Sequence, residues 1–140
     1  MSWSTVRLFD QVSQGETLPE LKIPITVRLI VSTAIATRDF QNVHHDKDAA
    51  MGLGSPHIFM NILTSNGLVE RYVSEWAGPG AIFKKVAIKL GAPNFPGDIM
   101  CLNGSVVKKT TEDERELELK IVGTNSLGSH VTGLVVLQLP

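Results

Sequence analysis

Ile58-Phe59-Met60-Asn61-Ile62-Leu63-Thr64-Ser65-Asn66-Gly67-Leu68-Val69-Glu70-Arg71-Tyr72-Val73-Ser74-Glu75-Trp76-Ala77-Gly78-Pro79-Gly80 is the stretch on which the fold turns. Within it Ile58, Phe59, Ile62, Leu63, Leu68, Val69, Tyr72, Val73 and Trp76 recur at three- and four-residue spacing, the period of a helix with most of its surface covered. Gly78-Pro79-Gly80 ends it, because glycine tolerates a left-handed turn and proline cannot continue the hydrogen-bond ladder. Trp76 is therefore expected to pack rather than to react. Its start is less plainly marked: Ser55-Pro56 has the residue types of a cap and a first helical position, and a start there would occupy the backbone amides that follow within the helix.

Beyond this helix the hydrophobic period falls to two. Val86, Ile88 and Leu90 alternate with Lys85 and Lys89, and Leu117, Leu119 and Ile121 with Glu116, Glu118 and Lys120, so each strand has a buried and a wet face. Pro96-Gly97-Asp98 reads as a turn before a strand over 100–107, the polar run 108–115 as a solvated hairpin loop, and Ser126-Leu127-Gly128 as a turn before a last strand over 131–139. On the other side of the helix, Pro24-Ile25-Thr26-Val27-Arg28-Leu29-Ile30-Val31 is rich in β-branched residues and is predicted extended, giving way to a helical turn before Asp39. One long covered helix followed by antiparallel strands is an α+β arrangement, the hotdog architecture of a curved sheet around a helix. A single layer of that size leaves an apolar sheet edge uncovered, and dimerisation through that edge is expected.

Composition sets the outer limits. With 140 residues, 43% hydrophobic and 19% charged, the chain is long enough for one packed domain, taken as 1–140, and too short for two comfortable ones. A net charge of -1 with scattered Lys and Arg lacks the basic footprint of phosphate-backbone binding, which argues against nucleic acid as a partner. Cys101 stands alone, so no intrachain disulfide can form. The start, Met1-Ser2-Trp3-Ser4-Thr5-Val6-Arg7, does not read as a secretory leader, and the longest apolar run, near 23–36, is broken by Arg28. A cytoplasmic protein away from the membrane is the expectation.

Chemistry is suggested by Asp39-Phe40-Gln41-Asn42-Val43-His44-His45-Asp46, which offers a carboxylate and an imidazole five positions apart in apolar surroundings. Such a pair can hold and deprotonate a water molecule for addition to an activated double bond. Five residues along a strand point to opposite faces and on a helix they diverge, so Asp39 and His44 meet only if Gln41-Asn42 makes a bend. The plainer alternative has both aspartates capping turns and His44 as a polar loop residue. Asp46 itself is placed to cap a short helix through Ala49 and Ala50, ended by Gly52 or Gly54.

Asp39, His44, Asp46 and Ala50 resemble the signature of the MaoC-like, or hydratase 2, family, Asp-x-Asn-Pro-x-His-x-Asp followed by Ala. The likeness extends through Leu63-Thr64, Trp76-Ala77-Gly78 and Pro93-x-x-Pro96-Gly97-Asp98. More narrowly, Ile30-Val31-Ser32-Thr33-Ala34, Ala36-Thr37-Arg38-Asp39-Phe40-Gln41 and Arg71-Tyr72-Val73 look like the small-subunit branch of bacterial steroid side-chain enoyl-CoA hydratases, in which two different MaoC-like chains associate. The resemblance implies hydration of a 2-enoyl-CoA, with a bulky steroid side-chain acyl group, to a 3R-hydroxyacyl-CoA. It implies Asp39 and His44 as the catalytic pair and the Asn61 backbone amide as the oxyanion donor. Its pocket would be floored by Phe59 and Met60, with no cofactor and with a second hotdog chain, or a copy of this one, as partner. The chain departs from the family pattern at Gln41-Asn42, where Asn-Pro is usual, and at Phe59-Met60-Asn61, where Ala-His-Gly is usual. The first departure loosens the bend, and the second makes the pocket floor larger and less polar.

The remaining polar residues attract simpler readings. His45 and Asp46 beside His44 do not have the spacing of a metal site, and none is expected. His57 and His130 read as surface or turn histidines. Lys84, Lys85 and Lys89 could meet the phosphates of coenzyme A or simply solvate a sheet face. Two other functions stay open: a hotdog thioesterase or acyl-carrier dehydratase, which would put its acid on the central helix where Glu70 and Glu75 are expected to face solvent, and a non-catalytic structural subunit.

Overall fold

In the computed structural model, which describes residues 5–140, the central helix α3 runs Ile62–Ala77 and starts at Asn61, whose side chain accepts the Thr64 N–H at 3.0 Å. Residues 1–4, part of the stretch read as lacking a leader, lie outside the described residues. The Ser55-Pro56 start does not occur, since the Ser55 hydroxyl donates to the His57 carbonyl and the chain stays irregular up to Asn61. Ile58 and Phe59 therefore precede the helix. At the other end Gly78 adopts φ 78°, a positive value that glycine takes without the cost a side chain would add.

Ahead of α3 lie β1 (Thr17–Pro24), α1 (Val27–Ala36) and α2 (Lys47–Gly52); after it come β2 (Ile82–Leu90), β3 (Ile99–Lys109), β4 (Glu116–Asn125) and β5 (Gly128–Gln138). The strands form one antiparallel sheet in the order β1-β3-β4-β5-β2, with β3, β4 and β5 joined by hairpins and β1 and β2 at the edges. Val69, Tyr72, Val73 and Trp76 of α3 share one core with Leu102, Leu119, Ile121 and Val135 of the sheet. The helix can lie that low because two sheet positions are glycine. A Cβ on Gly104 would stand 3.2 Å from Tyr72 Cε1, and one on Gly133 3.2 Å from Val69 Cγ1. Each fully buried aliphatic side chain in this layer contributes roughly 1.5–3 kcal/mol.

Two segments before α3 differ from their sequence reading. The stretch 24–31, predicted extended, is helical from Val27: Thr26 accepts the Leu29 N–H at 3.0 Å, a cap worth about 1 kcal/mol, and Ile30 and Ala34 are buried one turn apart. Packing of that face outweighs the modest β preference of Val27, Ile30 and Val31. The first strand lies earlier, at Thr17–Pro24, where Pro19 interrupts the alternation and a register shift falls between Leu18 and Leu21. Pro19 has no N–H to give, which suits an edge. No helix is long and apolar enough to cross a membrane among the described residues.

Candidate active site

Asp39 reaches its place through the way α1 ends. The Arg38 N–H donates to the Ile35 carbonyl at 3.0 Å and the Asp39 N–H to the Ala34 carbonyl at 2.9 Å, the paired bonds of a Schellman stop, with Arg38 in the left-handed region at φ 56°. The chain reverses there and directs Asp39 away from the helix axis. Its Oδ1 then accepts the Gln41 N–H at 3.3 Å, and a 3-10 turn over Asn42–His44 carries His44 round to face it. The bend required at Gln41-Asn42 is thus made without proline. Asp46 caps α2 through the Ala49 N–H at 3.0 Å.

The result is a His44 Nε2 to Asp39 Oδ2 distance of 3.3 Å, with the two side chains 6% and 18% exposed. His44 Nδ1 lies 2.7 Å from the Phe59 carbonyl, an acceptor only, so Nδ1 carries hydrogen and Nε2 is left for the cleft. The Phe59 ring packs edge-on against the imidazole at 5.1 Å. A cleft of about 330 Å³ opens beside the pair, lined by Gln41, Phe59, Met60, Asn61, Ile62, Leu90 and His130 among others.

Asn61 is buried and fully engaged. Its Oδ1 accepts both the N–H and the hydroxyl of Thr64, and its Nδ2 donates to Thr37 Oγ1 at 3.0 Å and to Asp39 Oδ2 at 3.1 Å. That bond, ahead of the Gln41 N–H and the nearby imidazole, holds the Asp39 carboxyl below its ordinary value, against the opposing effect of burial. Asn61 therefore does not enlarge an apolar floor as expected, because its carboxamide turns back onto Asp39. Its backbone N–H has no acceptor among the described residues and sits at the positive end of α3. Met60 is buried, its sulfur 3.6 Å from the Asn94 amide, and Phe59 lines the cleft.

His130 corrects its surface-or-turn reading. It is 2% exposed, with Nε2 2.8 Å from Ser65 Oγ and Nδ1 2.6 Å from the Ala92 carbonyl, and burial pushes its pKa below the ordinary 6.5. His57 sits half-buried in the bend before α3 and accepts the Ile58 N–H. Lys84, Lys85 and Lys89 are exposed along the edge strand β2. Of the helix carboxylates Glu70 faces solvent, but Glu75 is only 9% exposed and paired with Arg71 at 2.8 Å. A second cleft of about 330 Å³ between Arg7, Tyr72, Glu75 and Trp76 lies at the far end of α3 from Asp39 and His44. There the Tyr72 hydroxyl is spent on the Pro19 carbonyl, with burial pushing its pKa up to about 12.

No protein-family model matches the sequence. The chain is 49% identical over 125 residues to the 3-oxo-4,17-pregnadiene-20-carboxyl-CoA hydratase beta subunit of Mycobacterium tuberculosis, covering 89% of this chain and 95% of that one. Among solved structures it superposes on a chain of the ChsH1–ChsH2 complex from M. tuberculosis with a TM-score of 0.88 and 47% identity, covering 91% and 98% of the two chains. R-hydratase PhaJ1 from Pseudomonas aeruginosa (TM-score 0.86, 19% identity, 95% and 85% covered) and the (R)-hydratase from A. caviae (0.83, 21%, 92% and 98%) share the fold.

Proposed function

This chain belongs to the MaoC-like, hydratase 2, family of hotdog proteins, and from that premise we propose that it is the catalytic subunit of a hydro-lyase adding water to a 2-enoyl-CoA. The observation that carries the reading is the 3.3 Å approach of His44 Nε2 to Asp39 Oδ2 beside a helix-start amide with no acceptor. The relative at 49% identity acts on a steroid side-chain thioester, and that length of similarity supports a bulky steroid acyl group here. The cytoplasm, where coenzyme A thioesters are handled, is the compartment that goes with it.

The chemistry follows from the tautomer. Water in the cleft donates one hydrogen bond to Asp39 and one to His44 Nε2, the nitrogen left free by the Phe59 carbonyl. As its oxygen bonds to the β-carbon of the enoyl thioester, the imidazole takes its proton and then returns it to the α-carbon. The atoms of one water are so divided between the two carbons, giving the 3R-hydroxyacyl-CoA. Charge that gathers meanwhile on the thioester oxygen is met by the Asn61 N–H, a contribution on the order of a hundredfold or more.

A cleft of about 330 Å³ is at the small end for any ligand and cannot hold a steroid acyl chain with its pantetheine arm. Ile62, on its wall, is 51% exposed, Leu63 next to it in α3 is 49% exposed, and Ile82 at the start of the edge strand β2 is 57% exposed. A second hotdog subunit seated on β2 would cover them and complete the tunnel. The test follows loss of the conjugated enoyl-thioester absorbance with the chain alone and mixed with a second MaoC-like chain, on short linear and steroid-bearing substrates. Turnover in the mixture, reduced about 10²- to 10⁴-fold by Asp39→Asn, is expected. Thioester cleavage without hydration would favour a thioesterase, and full turnover in Asp39→Asn a structural subunit.

A further inference from the structure

We infer that the Asn61 side chain is a positioning residue that keeps Asp39 an ionised hydrogen-bond acceptor, so that the proton leaving water goes to His44. This rests on the hydratase reading and adds to it the side chain that enforces the division of labour between the two groups. The argument is one of saturation. A backbone N–H can only donate, so the Thr64 N–H on the Asn61 side chain fixes which end of the carboxamide is oxygen. The NH₂ end must then point the other way, where one hydrogen meets Thr37 Oγ1 and the second Asp39 Oδ2. Thr37 Oγ1 is free to accept because its own hydrogen goes to the Thr33 carbonyl at 2.7 Å. No rotation of Asn61 satisfies Thr64 and withdraws from Asp39 together.

A protonated Asp39 would have to present a hydroxyl to one of its neighbours. Oδ2 already faces the Asn61 donor and Oδ1 the Gln41 N–H, neither of which can accept, so such a hydroxyl could be offered only to His44 Nε2, 3.3 Å from Oδ2. The carboxylate is thereby the favoured form, and the only basic lone pair in the pair able to take up a proton is His44 Nε2. The same residue offers its backbone N–H to the oxyanion, so one position of the chain serves both ends of the reaction.

Ser and Asp cap helices about as well as Asn, which separates positioning from folding. Asn61→Ser keeps the cap and removes the carboxamide NH₂ that reaches Asp39; Asn61→Asp keeps the cap and puts a like charge against Asp39. In the active mixture, kcat is expected to fall about 10- to 100-fold in Asn61→Ser. The acidic limb of kcat/KM should move to higher pH, further in Asn61→Asp, because two adjacent carboxylates resist joint ionisation. The Asp39 carboxyl, followed by carbon NMR in the unaltered chain, should titrate below 3.8. Unmoved pH limbs in both variants, or an Asp39 midpoint at or above 3.8, would overturn the inference while leaving a dead Asp39→Asn to support the hydratase. An active Asp39→Asn removes the reading itself.

Discussion

His44 and His130 are a matched pair with different uses. Both are buried, at 5% and 2% exposure, and each gives Nδ1 to a backbone carbonyl, Phe59 at 2.7 Å and Ala92 at 2.6 Å. Both line the same cleft. They differ at Nε2. On His130 that nitrogen accepts from the Ser65 hydroxyl at 2.8 Å, and Ser65 is wholly buried, so the ring has nothing left to offer. On His44 it faces a partly exposed carboxylate at 3.3 Å, and both residues border the cleft, where a water can sit beside them. A clamped tautomer is common to a structural and a reacting histidine, and what separates them is whether the second nitrogen is already spoken for.

The sharpest way to break that comparison is to remove each ring in turn. His44→Ala should lower kcat about 10²- to 10⁴-fold in the mixed assay and leave the melting temperature within a few degrees. His130→Ala should do the reverse. It strands the buried Ser65 hydroxyl and the Ala92 carbonyl, costing about 1–3 kcal/mol read by denaturant unfolding, with kcat within about tenfold. Equal activity losses with equal stability would mean that His130 is in the chemistry too.

The two histidines were also unequally legible. His44 stands five residues from Asp39 within a motif, and its spacing alone raised the question that the bend then answered. His130 lies in a strand whose inward residues are Val131, Gly133, Val135 and Leu137, so alternation assigns it to the outer face. Its burial comes from a bulge. Thr124 pairs with Ser129 and Gly123 with Val131, leaving His130 as the extra residue, re-aimed toward the cleft beneath Ala92. Nothing in a period-two pattern announces such an insertion. β1 was hidden by Pro19, and α1 looked like a strand because it is rich in β-branched residues although only Ile30 and Ala34 are buried. The long helix, its Gly78 stop and the later strands carried uninterrupted periods and were readable. Asn61 as the helix-start amide came only from the family resemblance, against a Ser55-Pro56 start that the residues left open, and the use of its side chain was not legible because it depends on where α1 ends.

Acid sharpens the contrast further. Burial holds His130 neutral below its ordinary 6.5, so just under that pH the unfolded chain binds the proton and the native chain does not. The stability this supplies is fully present above 6.5 and is lost as pH falls through the lower native value. Asp39 and Asp98 are displaced downward from 3.8, so their losses come in a separate, more acid window. Unfolding free energy measured from neutrality down to about pH 5 should decline, and decline less steeply in His130→Gln. An unchanged slope would mean that His130 takes up its proton in place.

The smallest effect tests what holds His44 to its carboxylate, for which His130 has no counterpart. Arg38 occupies the left-handed position of the Schellman stop at φ 56°, where a side chain costs about 1–2 kcal/mol and glycine costs nothing. Arg38→Gly relieves that strain but enlarges the unfolded ensemble, and the two oppose. The net should be a gain of a few tenths to about 1 kcal/mol, with the Ala34 and Ile35 bonds intact and kcat unchanged. The informative failure is a variant that melts higher yet turns over more slowly. It would mean that the arginine's strain, and not only the hydrogen bonds of the turn and of Asn61, sets the angle at which Asp39 meets the imidazole.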